Sequence, residues 1–416
     1  MSKPTLLFRG PVETRSGYGS HSRDILESLR AMDMFNIIID SCNWGVTPLT
    51  ALEDGNEFHQ WIKQHKISSI DAQPDVYVSV TISNEFRRVG KFNIGITAGI
   101  ETTVAGKDLI DGCNNMDLVI VPSKFTKDVY FQSVYNETEN GTGRLIKQHK
   151  IVKPMEVLFE GADTKIYNDV VDDSFDLDIK EDFAYLFVGH WLKGDTGQDR
   201  KDVGMLIKTF METFKDDEKK PALVLKTSAG SFSVKDRELI RKKIKSITGE
   251  NPNVPIYLLY GDLTDGEMNS LYNHPKIKAM VSLTKGEGFG RPMLEFTMTG
   301  KPVIASNWSG HKDFLPLDKA VMIGGTLTEV HDSAVDKFIL KNSKWFTANY
   351  NEAASIMKLV RDEYDTFKTK SEELKEINKT NFSLEMMTNK LETILSPYIQ
   401  RPERVDLKLP KLNKIS

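Results

Sequence analysis

The sequence predicts two α/β domains of similar size, each a parallel sheet covered by helices, joined through an acidic linker. Three observations predict it. Short apolar runs alternate with helix-like stretches along most of the chain. Six such runs fall on each side of residues 167–182. Most of the runs are β-branched or aromatic and apolar on both faces, as strands are when helices cover both sides of a parallel sheet.

In the first half the runs occupy residues 5–8, 35–39, 75–80, 92–96, 118–121 and 156–159. The stretch 167–182 then holds Asp169, Asp172, Asp173, Asp176, Asp178, Glu181 and Asp182 with little apolar content, and reads as a linker. The rhythm resumes at 185–188, 222–225, 256–260, 279–283, 302–305 and 320–323. After residue 337 the pattern reads as helical, through Ile356, Met357, Leu359 and Val360 and again at Leu384, Met386 and Met387. These boundaries give Rossmann-like domains over 1–175 and 176–380, a final helix over 381–400 and a mildly basic tail over 401–416.

The 416 residues are enough to bury a core without disulfides or metals. The 55 Lys and Arg against 59 Asp and Glu leave a net charge of −4, which excludes a globally basic nucleic-acid coat but not a local basic groove. The cysteine count is two, Cys42 and Cys113, which fits a reducing compartment. No apolar run approaches the roughly 18 residues of a membrane span, and the first residues carry no signal-peptide pattern. The expected location is the cytoplasm.

Two α/β domains and a hinge imply a cleft, and ligands of open parallel sheets sit at the carboxyl ends of the strands. The richest strand end is Ser282-Leu283-Thr284-Lys285-Gly286-Glu287-Gly288-Phe289-Gly290-Arg291-Pro292. Gly288 and Gly290 let backbone approach a ligand, and Pro292 suits the first turn of a helix whose free N–H groups can bind phosphate. Glu287 and Glu295, eight positions apart, are acceptor-only when ionised and suit hydroxyl-rich ligands. A second strand end runs Phe187-Val188-Gly189-His190-Trp191 and leads to adjacent cations, Arg200-Lys201, before a helix. Fixed positive charge there suits a diphosphate. Lys226, at the end of the next run, is a further candidate. Gly17 and Gly19 follow the first strand as an incomplete dinucleotide fingerprint. Glu101 follows the fourth strand and can accept a proton from an acceptor hydroxyl, or orient the acceptor.

Glu287 and Glu295 form an E-x7-E pattern around Gly288-Phe289-Gly290-x-Pro292. This resembles the retaining glycosyltransferases of family four, as does the following Gly300-Lys301-Pro302-Val303-Ile304-Ala305-Ser306 with Gly310. The resemblance covers the second half well and the first half loosely. It implies the GT-B fold, two Rossmann-like domains facing a central cleft with the final helix crossing back to the first domain. It implies that Glu287 contacts the donor sugar and Glu295 the ribose, with Gly288, Phe289 and Gly290 beside the donor. It places Lys201 and Arg200 on the diphosphate, and Gly17 and Gly19 over the diphosphate or the acceptor. Where the family commonly has an arginine after the strand's glycine, this chain has His190, and the family's acceptor-side histidine is replaced by the turn Gly99-Ile100-Glu101.

The implied activity is retaining transfer of a hexosyl or pentosyl group from a UDP- or GDP-linked donor to an acceptor hydroxyl. It needs no cofactor or metal, because Lys201, Arg200 and the helix dipole at Gly290 can take the leaving charge. Asp176 and Asp178 form a D-x-D, but within the acidic linker, and the histidines lack metal-ligand spacing. The acceptor is a glycan or a modified DNA base. The opening Arg9-Gly10-Pro11 and Ser16-Gly17-Tyr18-Gly19 resembles tailed-phage glycosyltransferases, some of which decorate hydroxymethylated cytosine, and a phage member would act in the host cytoplasm. An epimerase, a phosphorylase or a non-catalytic nucleotide-sugar binding protein would share the cleft.

Overall fold

A computed structural model describes residues 3–399 except 173 and 251. The basic tail therefore lies outside the described residues.

The first domain contains β1 (Thr5–Gly10), α1 (Gly17–Met32), β2 (Asn36–Ser41), α2 (Glu57–His65), β3 (Val76–Val80) and β4 (Phe92–Ile96). It continues through α3 (Lys107–Asn114), β5 (Leu118–Val121), α4 (Lys124–Gln132), a hairpin of β6 (Tyr135–Thr138) and β7 (Leu145–His149), and β8 (Met155–Val157). Its six-stranded sheet has the order β2-β1-β3-β4-β5-β8 and is parallel throughout. The second domain runs β9 (Ala184–His190), α5 (Val203–Phe214), β10 (Ala222–Ser228), α6 (Val234–Thr248), β11 (Ile256–Leu259), α7 (Asp265–Asn273) and β12 (Ile277–Ser282). Then follow α8 (Arg291–Thr297), β13 (Val303–Ser306), β14 (Val321–Ile323), β15 (Gly325–Glu329), β16 (Lys344–Ala348), α9 (Tyr350–Asp362), α10 (Tyr364–Asn381) and α11 (Leu384–Leu395). Its sheet, β11-β10-β9-β12-β13-β14, is also parallel and six-stranded.

The two-faced apolar runs behave as their composition requires. β3, β5 and β13 are buried at every residue. Between the two sheets the described residues form no helix or long strand, and Leu177 and Ile179 are buried against the core. One expectation needs correction. The helical pattern read from residue 337 is preceded by a strand, β16, paired antiparallel with β15. Trp345 and Phe346 are buried there and Phe346 N–H donates to Lys285 O at 2.9 Å, so tertiary burial of two large rings overrides the local pattern.

In each sheet the chain reverses its direction of growth beside the first strand, between β1 and β3 and between β9 and β12. Crevices open at such switch points. The two crevices face each other because the domains are locked together by polar contacts. Ser123 Oγ, at the N-cap of α4, donates to Gly288 O at 2.6 Å, and Lys124 N–H to Asp313 Oδ2 at 2.9 Å. Thr103 N–H donates to Lys344 O at 2.9 Å, and Arg291 of α8 pairs with Asp24 of α1. After α10 the chain returns to the first domain. Leu384 N–H donates to Ala162 O at 2.8 Å, and Thr388 Oγ1 on α11 donates to Ser28 Oγ on α1 at 2.8 Å.

Candidate active site

The facing crevices enclose a cavity of about 330 Å³. Its walls come from strand ends in both domains. Gly17, Tyr18 and His21 follow β1, Ala98 and Glu101 follow β4, and Glu160 follows β8. Opposite them lie His190 at the end of β9, Arg200 and Lys201 before α5, Lys226 and Ser228 on β10, and Glu287 through Pro292 after β12.

Glu287 is the electrostatic centre. It is 6% exposed, and its two oxygens accept from Lys201 Nζ at 2.5 Å and Arg200 Nη1 at 3.2 Å. Burial alone would raise its pKa, but Lys201 and Arg200 together hold the carboxyl down at about 2. It is a carboxylate at any working pH. The Arg200 guanidinium also donates to Gly286 O at 3.0 Å and lies 3.6 Å from Glu101 of the other domain.

The cations are placed by their own backbone. Lys285 N–H donates to Arg200 O at 2.7 Å, tying the loop before α5 to the loop after β12. Beneath it Lys285 Nζ, 1% exposed, lies 3.3 Å from fully buried Asp202, which also accepts from Tyr350 OH at 2.7 Å. This buried pair braces the segment that carries Arg200 and Lys201. Asp202, Lys285 and Tyr350 were not singled out in the sequence; two acids flanking the Arg-Lys pair, Asp199 and Asp202, were the available signal.

The glycine-rich loop is shaped by contact with the first domain. A Cβ on Gly288 would lie 2.1 Å from Ala98 O, so only glycine admits this approach. Gly290 caps α8 at φ 101°, in the left-handed region. Phe289 is buried and lines the cavity. Gly17 opens α1 at the cavity wall, whereas Gly19 packs inward: a Cβ there would lie 2.1 Å from Thr14 O.

Lys226 lines the cavity with Nζ donating to Gly261 O at 2.5 Å. His190 donates or accepts at Ser228 Oγ, 3.0 Å from Nδ1. Burial, then Lys201, Arg200 and Lys226, push it down to about 4, so it is neutral and adds no charge to this wall. Glu295 is buried behind the wall and does not line the cavity. Its oxygens accept from Arg291 Nε at 2.6 Å and Tyr272 OH at 3.3 Å, and burial raises it to about 7. Among the described residues no group of three or more His, Cys, Asp or Glu is arranged to hold a metal ion, and no helix is long and apolar enough to cross a membrane.

No protein-family profile matches the chain, and no curated protein matches it. Solved structures do. The Anabaena protein Alr3699/HepE in complex with UDP-glucose superposes with a TM-score of 0.61 at 13% identity, covering 95% of this chain and 100% of that one. Sucrose-phosphate synthase from Thermosynechococcus elongatus gives 0.62 at 13% identity, covering 95% and 99%. A glycosyltransferase from Rickettsia africae gives 0.60 at 13% identity, covering 97% and 100%. At this identity the likeness is one of fold: two Rossmann-like domains in the GT-B arrangement.

Proposed function

We infer that this chain is a glycosyltransferase that moves a sugar from a UDP- or GDP-linked donor to an acceptor hydroxyl, with retention at the anomeric carbon. The observation that carries this reading is the convergence of Arg200 and Lys201 on Glu287 inside the interdomain cavity. Two fixed cations beside a permanent carboxylate are what a diphosphate joined to a sugar requires. The cations take the phosphate charge, and the carboxylate accepts from sugar hydroxyls. Further support comes from Alr3699/HepE, a protein of this fold that binds UDP-glucose.

In the reaction the bond from the anomeric carbon to the β-phosphate oxygen breaks and a bond to the acceptor oxygen forms. The acceptor's proton passes to the leaving phosphate oxygen on the same face. Arg200 and Lys201 stabilise the charge that builds there, which supplies the function a metal ion would otherwise perform. Glu287 is too acidic to donate a proton and acts by orientation. Glu101, on the first-domain side and 3.6 Å from Arg200, orients the acceptor. Glu295 acts through Arg291, the arginine it shares with Asp24.

The test is nucleotide release from a panel of UDP-, GDP- and ADP-sugars in EDTA, with saccharides, plain DNA and hydroxymethylated DNA as acceptors. Release from one donor in EDTA is expected, and the stimulating acceptor separates a glycan from a modified base. Failure to bind any of these nucleotides overturns the reading.

A further inference from the structure

Two polar side chains on the first-domain wall of the cavity have no hydrogen-bond partner in the described chain. Glu160 is 7% exposed, lines the cavity, and its carboxyl is not engaged by any hydrogen bond or ion pair among the described residues. His21 on α1 lines the same wall, with Nδ1 buried and unpartnered. Nearly every other buried acid of the site is held: Glu287 by Lys201 and Arg200, Glu295 by Arg291 and Tyr272, Asp24 by Arg291.

The backbone around Glu160 is pinned. Gly161 N–H meets Met387 Sδ at 3.2 Å, and Ala162 N–H donates to Phe382 O at 2.9 Å. A Cβ on Gly161 would lie 2.6 Å from Leu384 Cα, so the loop after β8 is clamped against the start of α11. A fixed backbone holds the free carboxyl toward the cavity. A carboxyl with no partner in the described chain is left to hydrogen-bond with whatever occupies the cavity.

The charged groups around it are Arg291 on α8, Asp24 on α1, Glu295 on α8 and Glu287 after β12. Burial, opposed by Arg291 and reinforced by the three acids, raises the Glu160 carboxyl to about 8. At neutral pH it is an acid with one O–H donor and a carbonyl acceptor. That pattern matches a hydroxyl, which also gives one hydrogen bond and accepts others.

We propose that Glu160 is a specificity residue of this cavity, whose carboxyl exchanges hydrogen bonds with a hydroxyl of the bound nucleotide sugar, on either its ribose or its hexose. Glu295 is not placed for that contact: it does not line the cavity, and its oxygens accept from Arg291 and Tyr272 behind the wall. The proposal rests on the nucleotide-sugar reading of the cavity.

The experiment is titration calorimetry of the full chain with UDP-glucose, GDP-mannose, UDP and GDP, for the wild type, Glu160→Ala and Glu160→Gln, with ligand-free Tm for each. Glu160→Ala is expected to lose about tenfold in affinity. Glu160→Gln, which keeps a donor and an acceptor, is expected to stay within about threefold of the wild type. The ligand-free Tm of Glu160→Ala should stay at or above that of the wild type, since the carboxyl makes no hydrogen bond within the described chain that truncation could break. A loss shared by the bare diphosphate assigns the ribose, and a loss confined to the nucleotide sugar assigns the hexose. Wild-type binding with equal affinity in Glu160→Ala overturns this proposal alone. So does a lowered Tm with no rescue by Gln. A wild type that binds none of the four overturns the nucleotide-sugar reading and this inference together.

Discussion

Lys201 Nζ and Glu287 Oε1 lie 2.5 Å apart although 86 residues separate them in the chain. They meet because β9 and β12 are neighbours in the second sheet, and each residue belongs to the loop leaving one of those strands. The switch point of the sheet thus brings a cation and a carboxylate to one place, and both are nearly withdrawn from solvent.

Glu287→Ala removes the carboxylate and leaves Arg200 and Lys201 buried without it. Turnover is expected to fall by about 10²–10³-fold, the scale for losing a preorganised polar group at a reacting centre. Steady-state release of nucleotide from the active donor measures it, and near-normal turnover contradicts the sugar contact. Lys201→Ala is expected to weaken nucleotide diphosphate binding more than nucleoside binding, because its charge serves the phosphates. Equal effects on both ligands contradict that assignment.

Glu295→Ala breaks one of the two contacts that hold the Arg291 guanidinium, leaving Asp24 as its carboxylate partner. Removing one member of a buried ionic cluster costs about 3–5 kcal/mol. The expected outcome is a lower Tm together with weaker nucleotide binding. An unchanged nucleotide affinity in a folded variant would remove Glu295 from the donor site altogether.

Gly288→Ala drives a methyl group to 2.1 Å from Ala98 O across the domain interface. Overpacking of this kind costs about 1–3 kcal/mol. Because the clash lies between the glycine-rich loop and the first domain, the variant should also lose activity. A fully active Gly288→Ala would show that the loop does not depend on this contact.

Two carboxyls give opposite pH signatures. Glu160, raised to about 8 from 4.5, keeps a proton in the native chain that the unfolded chain has already lost. Its contribution therefore lowers stability as pH rises between those values. Glutamine has no such proton to lose, so the Tm of Glu160→Gln should pull ahead of the wild type from pH 5 to pH 8. Glu287, held at about 2, contributes stability above its unfolded value of 4.5 that is lost as pH falls toward 2. Parallel Tm profiles for Glu160→Gln and the wild type would contradict the raised value.

Much of the fold is legible because fully buried parallel strands must be apolar on both faces, and the runs ending at residues 80, 121 and 305 carry that composition without reference to anything distant. The hairpin of β15 and β16 is not legible in the same way. Its exposed Lys344 and buried Trp345 and Phe346 acquire meaning only against Lys285 and the core. In the site, Arg200, Lys201, Glu287 and the glycines announce themselves by residue type at strand ends. Glu160 also follows an apolar run, yet a single acid before a glycine is an ordinary surface pattern until its burial is known.

The sequence by itself determined the two α/β domains and the strand ends where cations, glycines and carboxylates would gather. Those follow from periodicity and residue chemistry, which are local. Tertiary structure decided what each carboxylate is. Glu287 is a permanent anion because two cations from another loop reach it, Glu295 is held by Arg291 and Tyr272, and Glu160 is buried beside three acids with no hydrogen-bond partner among the described residues. Three glutamates with the same intrinsic acidity diverge because desolvation and Coulomb energy depend on distances that only the folded chain sets.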